Sequence, residues 1–226
     1  SDLHIGTGQS LLKDFDWYLH TDEYVYFADQ AAISATVFDR LSADGGRPQS
    51  TIDLITGATI DDLLARGWLR ADDIAAPGAL FPYRLRGKPA TREIREQIKN
   101  VWGQPYLPGS SFKGALRTIL AVAAAKELQP DVRINRLNSK RAWAAQPIEE
   151  FLFGRDPTHN FLRVLQVGDS APVTAKNLRL RRAHIYPTAA PTSRGKSRGL
   201  DIDLEVVAKD TTFELPIHSP LELLKP

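Results

Sequence analysis

Gln104-Pro105-Tyr106-Leu107-Pro108-Gly109-Ser110-Ser111-Phe112-Lys113-Gly114-Ala115-Leu116-Arg117 reads as a turn that becomes the front end of a helix. Pro108-Gly109 is turn chemistry: proline fixes φ at the second turn position, and glycine accepts the φ > 0 that often follows. Ser110 or Ser111 is the expected N-cap, its hydroxyl accepting a hydrogen bond from an amide two or three residues on. From residue 112 to 128, Phe112, Ala115, Leu116, Ile119, Leu120, Val122 and Ala123 fall at three- and four-residue spacings, the pattern of an amphipathic helix, which Pro130 ends. Lys113 and Arg117 are four apart and share one face of the first two turns, beside free backbone amides and the positive end of the helix dipole. Such a helix start suits a phosphate. It is not the nucleotide P-loop, which requires Gly-Lys-Ser/Thr where Gly114 is followed by Ala115-Leu116. Spacing alone leaves two readings open. One is an anion cradle; the other is a tight, closely packed helix start on which Lys113 and Arg117 are ordinary solvated charges.

The same stretch, from Pro108 to Arg117, resembles the glycine-rich signature of the RAMP superfamily, the RNA-binding subunits of type III CRISPR effector complexes. His4-Ile5-Gly6-Thr7-Gly8 is similar to the loop leaving that family's first strand. Phe151-Leu152-Phe153-Gly154, followed by Leu162-Arg163-Val164 and Val167-Gly168-Asp169-Ser170, looks like the region after the signature helix. The three matches come in family order over about three quarters of the chain. The resemblance implies an α+β fold of ferredoxin-like, RNA-recognition type with a helical insertion, and a second module that is reduced or absent. The expected division is residues 1–49 as the first part of the module, 50–90 as the insertion, and 91–226 as the remainder.

About a hundred residues separate Gly8 from Gly109. That layout resembles the type III-A Csm subunit that caps the 3′ end of the guide RNA (crRNA). The resemblance implies crRNA, target RNA and other Csm subunits as partners, the repeated backbone subunit above all, with a role in crRNA maturation and assembly and no catalysis.

Composition agrees without deciding. The 226 residues are 42% hydrophobic, enough for one large core or two modest ones. The absence of cysteine excludes disulfides and thiolate metal sites and suits a cytoplasmic protein. No apolar run approaches membrane-spanning length, so no membrane partner is expected. The absence of methionine suggests that the sequence is part of a longer translated product. A net charge of +2 hides an asymmetry: between residues 130 and 200 there are thirteen Lys/Arg against five Asp/Glu, leaving the rest net acidic by six. A basic stretch in a near-neutral protein points to a polyanion.

Along the chain, Leu3 to Ile5 is the expected end of a strand and Gly6-Thr7-Gly8 the flexible turn after it, either approaching phosphate with its amides or simply turning the chain. Residues 15–19 and 24–27 are aromatic strands of a hairpin, whose rings either stack bases or pack a core. Asp29 caps a helix to about Leu41, and Thr59 caps another over 60–64. Asp61-Asp62 and Asp72-Asp73 read as solvated helix acids rather than metal ligands. Residues 91–100 carry a helical spacing at Ile94 and Ile98, but the resemblance implies an extended segment, and a strand is expected. Between 132 and 146, Arg136, Lys140 and Arg141 are interleaved with Asn135, Asn138 and Trp143, a composition suited to single-stranded RNA as well as to a solvated linker. Pro147 opens a helix to Phe153. Strands are expected at 161–167, 177–186 and 201–208, the last with Ile202, Leu204 and Val206 on one face, and an edge at 213–216. Residues 192–199 form a basic loop expected to be mobile.

The candidate RNA-binding residues are therefore His4, Gly6, Thr7, Gly8, Gly109, Ser110, Ser111, Phe112, Lys113, Arg117, Arg136, Lys140 and Arg141. No catalytic residue, metal or cofactor is assigned. Two rivals remain. In one, the chain is an endoribonuclease acting on CRISPR RNA with His4 as general base; Asp14 and Asp16 lie where a catalytic aspartate would be sought. In the other it is a docking subunit whose 50–82 helices bind a protein neighbour.

Overall fold

The computed structural model describes residues 1–21, 23–43, 55, 57–75, 77–129, 140, 143–155, 160–186 and 199–220. They form two compact units, Ser1–Pro105 with Val173–Thr211, and Tyr106–Pro172 with Thr212–Pro226.

The first unit contains two sheets. One orders β1 (Gly6–Leu12), β5 (Glu93–Gln97), β8 (Leu200–Val207) and β7 (Leu178–Ile185) side by side. β5 and β8 run parallel, and each has an antiparallel outer partner, β1 and β7. This is the pairing of a split βαβ, ferredoxin-like sheet. The other orders β2 (Trp17–Thr21), β3 (Tyr24–Phe27) and β4 (Tyr83–Arg86), all antiparallel.

The expected β2–β3 hairpin forms, and its aromatics pack rather than face solvent. Trp17, Tyr26 and Phe27 are buried, and Phe27 stacks on Tyr83 with ring centroids 4.5 Å apart. Against this sheet lie α1 (Gln30–Ala43), α2 (Ile60–Ala65) and α3 (Ala71–Ile74). The Asp29 carboxylate accepts from the Ala32 amide, and Thr59 and Asp62 exchange the two bonds of a capping box, so both caps fall where the sequence puts them. Ile33, Val37, Ile60, Leu63, Leu69, Ile74, Tyr26 and Phe81 close into one core. Each large apolar side chain buried there contributes about 1.5–3 kcal/mol. The paired aspartates are structural: Asp62 caps, and Asp73 takes both guanidinium nitrogens of Arg40, at 2.8 and 2.9 Å.

Residues 93–97 are the expected strand. Ile94 and Gln97, on opposite faces of the strand, are both buried, and β1 and β8 supply ladders on both sides. The N-terminal expectation is corrected. Gly6-Thr7-Gly8 is the opening of β1 and not a loop after a strand, while Leu3 makes only an isolated bridge to Val207. The segment is held because the Thr7 hydroxyl donates to Glu96 at 2.9 Å, and because Gly8, at φ 89°, takes up a register shift between Gly6 and Ser10.

β8 also departs from expectation. Ile202 and Leu204 are not its most buried positions, whereas Asp203 and Glu205 are 2% and 0% exposed. Asp203 accepts from the Ala90 amide at 2.6 Å, from the Thr91 amide at 2.9 Å and from Arg182 Nε at 3.1 Å. Burial by itself would raise its pKa; the bonds from Thr91, Arg182 and Ala90 outweigh it, and the carboxyl titrates below the ordinary aspartate range. A group whose folded pKa lies below its unfolded value of about 3.9 stabilises the fold above that pH and loses this contribution as pH falls through the folded value. Asp203→Asn is therefore expected to flatten the acid limb of a melting-temperature profile; a limb identical to wild type would contradict the assignment.

The second unit contains α4 (Gly109–Leu128), α5 (Gln146–Phe153) and a short ribbon of β6 (Gln166–Val167) with β9 (Ile217–His218). Pro147 sits in the first turn of α5 as expected. Three expectations are corrected. The N-cap of α4 is Pro108, with Ser110 and Ser111 inside the first turn, because the helix starts as soon as the proline's extended backbone ends. Phe161–Val164 is a 3-10 turn capped by the Asn160 carboxamide, so the strand shrinks to two residues. The C-terminal edge lies at 217–218 and not at 213–216. The apolar stripe of α4 is also largely open: Ile119 is 63% exposed and Val122 54%.

Candidate nucleic-acid interface

In the second unit, two stretches singled out in the sequence meet. The Gly109 amide donates to Asp169 Oδ1 at 2.8 Å, the Leu107 amide to Ser170 Oγ at 2.9 Å, and the Ser170 amide back to the Leu107 carbonyl at 3.0 Å. A Cβ on Gly109 would lie 2.2 Å from the Val167 carbonyl oxygen. Gly109 is thus required by a close backbone crossing, and its amide is already bound to a carboxylate. What remains at the helix start is the next two amides, Ser110 and Ser111, with the dipole behind them. Phe112 is half-buried, and its amide closes the first turn onto the Pro108 carbonyl.

Lys113 and Arg117 line one cleft, of about 630 Å³, together with Ser110, Gly114, Arg155 and Arg163. Glu149 and Glu150 contribute opposite charge. Arg117 donates to Glu149 Oε2 at 2.6 Å, and its guanidinium lies 4.4 Å from the centroid of the Phe153 ring. Its head is therefore oriented by α5, a contact that spacing within α4 did not reveal. The long basic stretch falls mostly outside the described residues: Arg136 and Arg141 belong there, as do residues 192–198. Lys140 is described and exposed, and its carbonyl accepts the amide of Trp143, itself 58% exposed.

In the first unit, His4 Nδ1 donates to the Glu205 carbonyl at 2.7 Å, which fixes the ring and leaves Nε2 beside Gly6; a Cβ there would lie 3.0 Å from Nε2. Thr7 is engaged with Glu96 and also accepts from the Gln9 amide. Asp14 and Asp16 belong to the β1–β2 turn, where Asp16 accepts the Leu12 amide at 2.7 Å and Asp14 takes φ 64°. His20 packs edge-on against Tyr26, His184 pairs with Asp201, and His159 lies outside the described residues. Among the described residues no group of three or more His, Cys, Asp or Glu is placed to hold a metal ion, and no helix is long and apolar enough to cross a membrane.

Sequence reasoning missed a buried ionic cluster beneath His4. Glu205 accepts from the Tyr83 hydroxyl at 2.6 Å and the Gln97 amide at 3.1 Å, and pairs with Lys99, which also lies 3.5 Å from Glu96. Burial of its hydroxyl and the neighbouring Glu205 charge push the Tyr83 phenol well above its ordinary pKa, so it stays a donor. Only the alternation of acids with aliphatics in β8 hinted at it.

Known proteins point the same way. A curated relative, the CRISPR system Cms protein Csm5 of Streptococcus thermophilus, is 25% identical over 228 residues, covering 95% of this chain and 60% of the relative; the chain thus spans about three fifths of its length. The crystal structure of Csm5 from T. onnurineus matches with a TM-score of 0.68 at 25% identity, over 99% of this chain and 67% of that one. A chain in the cryo-EM structure of a Csm-crRNA-target RNA ternary complex of a type III-A CRISPR-Cas system has the same fold, with a TM-score of 0.65 at 22% identity, over 99% of this chain and 63% of that one. The RAMP superfamily model matches residues 1–223, and with the signature loop, its Asp169 anchor and the split sheet in place, the chain belongs to the RAMP superfamily.

Proposed function

We propose that this chain is a crRNA-binding subunit of a type III-A CRISPR (Csm) surveillance complex, holding the 3′ end of the guide and supporting its maturation and the assembly of the complex, without catalysis of its own. The observation that carries this reading is the signature turn. Asp169 and Ser170 fix its backbone at the start of α4, and Ser110, Lys113 and Arg117 of its first turns line one open cleft. Amides at a helix start and two cations recognise phosphate without reading sequence, which suits a guide whose interior varies. The His4 segment, with Gly6 to Gly8, supplies a second contact region for sugar or base. The likeness to Csm5 supports crRNA, target RNA and the other Csm subunits as partners, in the cytoplasm where such complexes act. The ribonuclease alternative has less behind it: the bond from His4 Nδ1 to the Glu205 carbonyl leaves Nε2 as the basic nitrogen, but among the described residues no hydrogen bond or ion pair couples His4 to a carboxylate or to a second acid–base side chain.

Replacing Lys113 and Arg117 together by alanine is expected to weaken binding of guide RNA and to reduce the slope of log affinity against log salt by about 1.4, two single-strand phosphate contacts. An unchanged affinity and slope would remove the cradle from the interface. Copurification of the tagged protein with its neighbours, followed by sequencing of bound RNA, tests the broader reading: short RNAs with a shared repeat-derived 5′ end and varied interiors are expected. A stable protein partner without RNA would favour the docking role instead.

A further inference from the structure

A second basic cleft lies in the first unit, between the exposed edges of its two sheets. β4 is the outer strand of the three-stranded sheet and β7 the outer strand of the four-stranded one, and together they line a cavity of about 400 Å³. Five cations line it: Arg84 and Arg86 from β4, Arg179 and Arg181 from β7, and Lys176 just before β7. Among the described residues no acidic side chain lines it. Strand geometry explains the clustering. At period two, Arg84 and Arg86 share one face of β4 while Tyr83 and Leu85 point inward, and Arg179 and Arg181 do the same on β7 opposite the buried Leu178. The two edges come close at Gly87, where a φ of 140° disfavours any side chain and a built Cβ would lie 3.1 Å from a Leu180 methyl carbon.

Two of the five cations are held by uncharged groups and two are ion-paired at the rim. Arg179 is turned onto the Lys176 and Leu178 carbonyls, at 2.6 and 2.7 Å. Arg84 lies 4.4 Å from the Tyr24 ring centroid and donates to the Tyr26 hydroxyl at 2.6 Å. Arg86 pairs with Glu23 in an exposed ion pair of the kind that contributes little to stability, and Arg181 pairs with Asp2, which also accepts the Lys209 amide. Five arginine and lysine residues along two strand edges and the turn before β7, one guanidinium lying over a tyrosine ring, match a phosphodiester backbone with unstacked bases.

We propose that the β4–β7 cleft is a second RNA site, which holds the backbone of a single strand, guide or target, in a place separate from the signature turn. It rests on the RNA-binding reading above, and the test separates the two. Binding of a fluorescent single-stranded oligouridylate is measured against salt for the full-length wild-type protein, for Lys176→Ala/Arg179→Ala and for Lys113→Ala/Arg117→Ala. The cleft variant is expected to lose roughly tenfold in affinity and about 1.4 in slope, while Arg179→Lys keeps the slope. Both mutated side chains of the cleft are on exposed residues, so the fold is expected to survive. If the cleft variant binds like wild type while the signature variant weakens, the cleft proposal fails and the first reading stands. The reverse pattern supports the cleft and overturns the signature turn as the main contact; no binding by wild type overturns both. In the assembled complex, 4-thiouridine placed in guide or in target is expected to crosslink to residues 175–181 from one of the two strands, which identifies the source. Crosslinks confined to the signature turn would overturn the proposal.

Discussion

Replacing Glu205 by alanine is expected to destabilise the first unit by about 3 kcal/mol, the low end of the cost of removing one partner from a buried ion pair. Glu205 is fully buried, and Lys99 beside it has a side chain only 7% exposed. Without Glu205 the ammonium keeps Glu96 at 3.5 Å as its remaining carboxylate, which holds the expected loss near that lower bound. The Tyr83 hydroxyl and the Gln97 amide lose their acceptor at the same time. Glu205→Gln is expected to retain part of the stability, since the carboxamide oxygen still accepts from Tyr83. Urea unfolding checks both variants; an alanine variant within about 1 kcal/mol of wild type would mean that Lys99 reaches solvent easily and the pair is not a constraint on the sheet. The same cluster orients His4 through the Glu205 carbonyl, so the N-terminal segment is expected to loosen as well.

Gly109→Ala has the second large effect, about 3 kcal/mol of destabilisation. The added Cβ meets backbone, 2.2 Å from the Val167 oxygen and 2.6 Å from the Gly168 oxygen, so no side-chain rotation relieves it. The turn must move away from Asp169, and RNA affinity is expected to fall with it. Gly114→Ala is the internal control. Nothing lies within 4 Å of its Cβ, it sits inside α4, and alanine there is expected to stabilise by about 0.5–1 kcal/mol. Equal responses from the two glycines of one signature would contradict the packing described for Gly109.

Much of the architecture is legible locally. The capping pairs Asp29–Ala32 and Thr59–Asp62, the β2–β3 hairpin, the β7 strand and the proline at the start of α5 depend on neighbours within a few residues, and short-range pattern finds them. The candidate site was legible as a list of residues and much less as an arrangement. The signature turn stood out, but its Gly109 amide is taken by a carboxylate sixty residues away, and Arg117 is aimed by Glu149 and Phe153 from another helix. The β4–β7 cleft was not visible at all, because two arginines near residue 85 and three cations near residue 179 have no relation in sequence until two sheet edges meet.

β8 marks the boundary most clearly. Its strand character follows from alternation alone, and so does the division of its side chains into two faces. That its acidic face is buried, alongside Val206 of the aliphatic face, does not follow, because period two is symmetric and hydrophobicity favours the aliphatic side. The outcome depended on groups brought in from elsewhere in the chain: the amides of Ala90 and Thr91, the hydroxyl of Tyr83, and the charges of Lys99 and Arg182. A carboxylate is buried only where donors and cations replace its water, and those partners exist only once β5, β7 and β8 lie side by side.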